Sequence, residues 1–173
     1  MNLCESLFKS YFHKDFGREE LIEKTGLKKP GFAEYVLKTI KDVHESRDKK
    51  MLEYLIYILF IMDETLPDAR RKDLPLFVSV LDELLIESWH DQHENIVTLL
   101  ERISSIESLE YFFEAIDLRP SYLSWDDNYS FEVKCVRALY YVGKELSAPY
   151  LEQLCDHPNE TIRAMAQKQL SKL

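Results

Sequence analysis

The sequence predicts an all-α protein of about nine helices, stacked as helical hairpins in an α-solenoid, or α-α superhelix. Three observations lead there. Only 4 of the 173 residues are glycine, too few for the tight turns of a many-stranded sheet. Apolar residues make up 46% and charged residues 31%, a composition that buries a core rather than staying disordered. Along most of the chain the apolar residues recur three and four apart, the period of a helix with one buried face. The length suits a single domain, 1–173, with N-terminal helices in 1–87 and repeat-like helices in 88–173.

Leu3, Leu7, Phe8, Tyr11 and Phe12 predict a short opening helix. Gly17 to Thr25 predicts a second, which ends before Gly26 as helices commonly do. Pro30 marks the next start, and Phe32, Val36, Ile40 and Val43 form one stripe. Residues 49–62 (KKMLEYLIYILFIM) are apolar on nearly every side. A strand competes for so β-prone a run, but its length and the lack of flanking turn residues favour a helix, buried on most sides. Pro67 and Pro75 bracket a basic connector, Arg70-Arg71-Lys72, before an amphipathic helix carrying Leu74, Phe77, Val78, Leu81, Leu84 and Leu85.

The second half begins at Trp89. Ile96, Leu99, Leu100 and Ile103 mark a helix from about residue 91. Ser104 with Glu107 has the spacing of a capping box for a helix bearing Leu109, Phe112, Phe113 and Ile116. After the loop RPSYLSWDDN, Val133, Val136, Leu139 and Tyr140 form a helix expected to stop at Gly143. Ser147 is placed as the cap of a short helix with Leu151 and Leu154, and Pro158-Asn159 opens the last, with Ile162, Met165, Ala166 and Leu170. Val133-Lys134 and Ile162-Arg163 stand 29 residues apart at matching places, a weak internal repeat.

Charge narrows the partners. The net charge is −9, a poor match for nucleic-acid phosphates. Between 73 and 132 there are 14 acids against only Arg102 and Arg119, a net of −12. Such a field either attracts a basic partner or merely keeps the surface solvated. The three cysteines (Cys4, Cys135, Cys155) have no metal-ligand spacing, and free cysteines in apolar helical patterns fit a reducing compartment. With no signal-peptide pattern and no apolar run longer than the eight residues 55–62, a cytoplasmic location is expected and membrane binding is not.

The C-terminal third resembles HEAT-like repeats. The resemblance is carried by VKCVRALYYVG (133–143), APYLEQL (148–154) and the turn DHPNETIR (156–163) leading to Ala166 and Leu170. It implies an architectural role for Asp156 and Arg163, tying one turn to the next. Over 88–173, the run SWHDQHENIV, then YLSWDDN and FEVKCVRALYYVG with the HEAT-like tail, is similar to small bacterial HEAT-like immunity proteins of polymorphic or contact-dependent toxin systems. That resemblance implies binding and neutralising one cognate toxin by covering its active or substrate-binding surface. The acidic stretch makes a basic nuclease the expected toxin.

Several residues stand out as partner-binding candidates. Trp89 lies beside a helix start, either as a hydrophobic staple or as an interface anchor. His90 and His93 share a helix face, but no second cluster supplies the further ligands zinc needs, so no metal is expected. Asp91 and Glu94 complement the helix dipole or face a partner. The loop 122–129 sets Tyr122, Trp125 and Tyr129 beside Asp126 and Asp127, with Glu114 and Asp117 on the helix before it. Aromatic anchors among carboxylates suit a basic protein surface. In the competing reading, the aromatics fill a gap between repeats and the acids cap the next helix. No nucleophile elbow and no phosphate loop is formed by glycines at 17, 26, 31 and 143, so neither an enzyme nor a cofactor is expected. A HEAT-like scaffold or adaptor is the alternative. A HEAT-like nucleic-acid-processing enzyme, such as a base-excision glycosylase, would require a basic groove that the acidic stretch opposes.

Overall fold

The computed structural model describes residues 17–26, 29–65 and 73–173. The expected opening helix and the connector Arg70-Arg71-Lys72 lie outside the described residues. Every regular element among the described residues is helical, as the glycine count and the 3.6-residue period predict. No described helix is long and apolar enough to cross a membrane. The chain divides into two compact units after Phe77, ten residues before the boundary drawn from sequence at 87/88. The cause is the helix that follows Phe77, whose neighbours are the later helices of the second unit.

The first unit contains α1 (Arg18–Thr25), α2 (Phe32–Ser46), α3 (Lys49–Thr65) and a 3-10 turn at Leu74–Phe77. α1 ends where expected: Gly26 takes φ 70, and its N–H bonds the Glu23 and Ile22 carbonyls. The α2 stripe of Phe32, Val36, Ile40 and Val43 is buried as its spacing requires. Asp48, which the sequence reading passed over, caps α3: Oδ1 accepts the Lys50 and Met51 N–H groups at 3.1 and 3.0 Å. α3 is sealed on most sides, with Leu52, Leu55, Ile56, Ile58, Leu59, Ile61 and Met62 all fully buried. Each such side chain stabilises by about 1.5–3 kcal/mol relative to exposure. α2 packs on α3, and both meet the 3-10 turn through its buried Leu74 and Phe77.

The second unit runs through α4 (Val78–Leu85), α5 (His93–Ile103), α6 (Leu109–Ala115), α7 (Ser130–Gly143), α8 (Ala148–Leu154) and α9 (Glu160–Leu170), with 3-10 turns at 106–108, 121–123 and 144–147. α7 is its hub and packs against α5, α6, α8 and α9. Its Phe131, Cys135, Val136, Ala138 and Leu139 are solvent-free.

Two local expectations, at Ser104 and Ser147, are corrected. The cap between α5 and α6 is Ser105, whose side chain accepts the Glu107 N–H at 3.3 Å. Ser104 instead closes α5 as its C-cap, at φ 60 and with its N–H bonded to the Leu100 carbonyl. α7 ends at Gly143 as expected. A Cβ there would lie 2.8 Å from Leu109 Cδ2 and 2.9 Å from Ser147 Cβ, so the glycine lets α6 and the 144–147 turn close on α7. The break comes at Lys144, with φ 48 and ψ −129. Ser147 precedes α8 without a side-chain cap, because its hydroxyl donates to the Lys144 carbonyl at 2.6 Å. Asn159, by contrast, caps α9 as expected by accepting the Thr161 and Ile162 N–H groups.

Candidate protein-binding surface

The site grows from the turn between α6 and α7. α6 ends at Ala115, and the chain reverses at Arg119, which takes φ 45. Pro120 starts the 3-10 turn Ser121–Leu123. Trp125 follows, 76% exposed. Its indole N–H donates to the Tyr122 carbonyl at 2.9 Å, which fixes the orientation of a large apolar side chain held out in water.

Asp126 has a different task. It is only 5% exposed, and its two oxygens accept the Asn128 and Ser130 N–H groups at 2.9 and 2.8 Å. Those two N–H groups, followed by the Arg119 charge, hold its carboxyl below the usual carboxylate range. The side chain therefore caps α7 and is closed to a partner, as the competing sequence reading held. Asp127 beside it is exposed.

Arg119 locks the turn from below. Its guanidinium lies 3.3 Å from the buried Glu132 carboxylate, 3.5 Å from the Asp126 carbonyl and 4.1 Å from the centre of the Tyr129 ring. Tyr129, at φ 56, is thereby covered on one face and half-buried. Arg119 and Glu132 were not singled out from sequence. The available signal was one arginine in a long acidic stretch, and nothing in spacing tells that Glu132 would be its buried partner 13 residues on.

Tyr122 joins this turn to the start of α5. Its ring stacks on His93 with centroids 5.6 Å apart. Burial first, then the charges of Glu94 and Asp91, push its hydroxyl up to about 12. His93 is fully buried, lies edge-on to Phe131 and reaches the Glu87 carbonyl through Nε2 at 2.7 Å. Burial lowers its pKa against the pull of that carbonyl, which favours the neutral ring. His90 accepts the Gln92 N–H through Nδ1 and donates Nε2–H to the Leu84 carbonyl at 2.8 Å. The two imidazoles thus bond the Leu84 carbonyl in the last turn of α4 and the Glu87 carbonyl just beyond it, which ties that segment to the head of α5. Among the described residues no group of three His, Cys, Asp or Glu side chains is arranged to hold a metal ion.

The fold brings Asp91, Glu94, Tyr122, Trp125, Asp126, Asp127 and Tyr129 together. Trp89 is half-buried and packs edge-on to His90, which places it with the two imidazoles. Glu114 is exposed on α6. Asp117 faces another turn, with its carboxylate 3.3 Å from His157 Nε2. That contact links the turn before α9 to the end of α6. Arg163 bonds the His157 and Pro158 carbonyls of its own turn at 2.6 and 3.3 Å, so the tie between successive turns runs through His157 rather than through Asp156 and Arg163. The site exposes the Trp125 indole, Asp127, Asp91 and the Arg119 side chain, with Glu94 half-buried beside them. Comparison with protein-family models, with curated proteins and with solved structures finds no match for this chain.

Proposed function

We propose that this chain works by binding another protein at the 119–130 turn and the head of α5, that its partner is a basic toxin, and that binding neutralises the toxin, making the chain an immunity protein built on HEAT-like helix pairs. The observation that carries this reading is Trp125. A soluble protein that holds an indole 76% exposed and ties its N–H to a neighbouring carbonyl has already met the ordering cost that a binding anchor would otherwise incur. Buried at the centre of an interface, a tryptophan is among the strongest contributors to affinity. Asp127, Asp91 and Glu94 set a negative field around it, which steers a Lys/Arg surface into register and raises the association rate. The mechanism is occlusion of the toxin's active or substrate-binding surface. The consecutive pairing of helices through α4 to α9 supports the HEAT-like description.

The test is a binding measurement on the partner captured from the producing cell, expected to be the toxic domain of a large secreted protein encoded beside this chain. Trp125→Ala should weaken the complex by at least about tenfold, equal to about 1.4 kcal/mol, with no loss of thermal stability. The association rate should fall as salt rises through the range where surface charges are screened. A complex indifferent to Trp125, or a rate independent of salt, would count against this surface and this steering respectively.

A further inference from the structure

The second unit carries its charge unevenly. Residues 78–132 hold 13 acids against Arg102 and Arg119, whereas residues 133–173 hold six Lys/Arg against four Asp/Glu. α7 spans the two regions. Its first residue follows the Trp125–Asp127 turn and its last precedes Lys144, so the two ends stand about 20 Å apart at the helical rise.

At the far end lies an organised group that no motif in the sequence announces. Tyr140 and Tyr141 meet edge to face at 5.4 Å. The Lys144 ammonium lies 5.2 Å from the first ring and 5.7 Å from the second, Lys172 comes to 5.1 Å from Tyr140, and the Arg137 guanidinium to 5.9 Å from Tyr141. The rings hold three cations of like sign close together at the surface. Lys144 does this from φ 48 and ψ −129, a backbone region that favours glycine. Tyr141 is 42% exposed and Leu146, two residues beyond Lys144, is 59% exposed, so the patch offers apolar area as well as charge.

This patch calls for an anionic, aromatic-bearing occupant of small footprint. A long polyanion fits poorly, because 17 acids of the same unit would repel it. The opposite end of α7 supplies the matching chemistry: an exposed indole beside the Asp127 carboxylate. We infer that the chain associates with itself head to tail, the Trp125–Asp127 turn of one copy seating on the Arg137–Tyr141–Lys144–Lys172 patch of a second. Asp127 pairs with the cations, and the indole covers Tyr141 and Leu146. The contact is heterologous, so an open assembly keeps one free turn and one free patch at its two ends and grows as a chain or closes as a ring. It occupies the surface proposed above for the toxin, yet it requires no toxin. Its test uses the protein alone, and its failure leaves the toxin-binding reading standing.

Sedimentation equilibrium of the purified chain, from micromolar to millimolar concentration, reads the association directly. At low ionic strength the weight-average mass should rise with concentration, and at about 0.5 M salt it should fall back toward the monomer as the short-range charge pairs are screened. Lys144→Glu and Asp127→Lys should each weaken association at least tenfold. Mixed in equal amounts, they should recover it, since the Asp127→Lys copy keeps the cationic patch and the Lys144→Glu copy keeps the acidic turn. Trp125→Ala, a surface change unable to disturb the core, should weaken it as well. A wild-type chain that stays monomeric at low salt to millimolar concentration, or variants that associate as the wild type does, would overturn the inference. So would a mixture no more associated than either variant alone.

Discussion

At the scale of single residues, Asp82 is the least comfortable group among the described residues. It sits on α4 at 2% exposure, and both its Oδ1 and the neighbouring Ser108 hydroxyl are buried without a well-formed hydrogen bond. Burial first, with the charges of Glu107 and Glu83 adding to it and Ser108 opposing, raises the carboxyl from 3.8 to about 6. A raised carboxyl favours the folded state only when protonated. Its contribution is therefore complete below pH 3.8 and is lost as pH climbs through 6, a swing of about 3 kcal/mol for a shift of this size. Asp82→Asn should thus stabilise the chain by about 1–3 kcal/mol near pH 7.5, and the gain should shrink to nothing below pH 4. Urea unfolding at the two pH values checks this, and equal midpoints for variant and wild type at pH 7.5 would contradict it. Trp125 and Asp126 teach the complementary lesson. Composition alone located the turn as aromatic and acidic. It did not separate the acid that caps α7 from the acid that faces water, because that depends on which backbone N–H groups the turn presents.

At the scale of elements, the helices of both units were legible where burial decides. The Phe32–Val43 stripe and the run 49–62 announce a half-buried and a nearly all-buried helix, and they are found so. The ends were less legible. Ser104 and Lys144 adopt positive φ where neither is a residue that favours it, so the surrounding packing rather than local propensity places those breaks. Gly143 ends α7 as read and also supplies spatial clearance, which its place in the sequence did not announce. Gly143→Ala would gain about 1 kcal/mol of helix propensity but would press a methyl against Leu109 and Ser147, and overpacking of that kind costs about 1–3 kcal/mol. The net expectation is a destabilisation of up to about 2 kcal/mol in urea titration. Trimming the obstruction should relieve it, so Gly143→Ala should cost less in a Leu109→Ala background than in the wild type. A variant more stable than the parent by the full propensity gain of about 1 kcal/mol would show that α6 yields at no cost.

At the scale of the molecule, the division after Phe77 is also a division of charge. Residues 1–77 hold 14 Lys/Arg and 14 Asp/Glu, while 78–173 hold 8 and 17, so the whole net charge of −9 belongs to the second unit. That unit has its own solvent-free core, from Leu81 on α4 through Phe112, Phe131 and Leu139 to Ala166 on α9, and its length is within the range in which single domains fold alone. It also holds every residue of the proposed binding surface, from Asp91 to Tyr129. Residues 78–173 produced as a separate polypeptide should therefore keep a helical circular-dichroism spectrum, melt cooperatively and bind the partner within about tenfold of the full chain. Their excess of like charge makes a further demand: the melting temperature of this fragment should rise with moderate salt, as the repulsion among its acids is screened. A fragment that stays unfolded even at high salt would mean that the second unit draws stability from residues before Val78. A folded fragment that no longer binds would move part of the partner surface there.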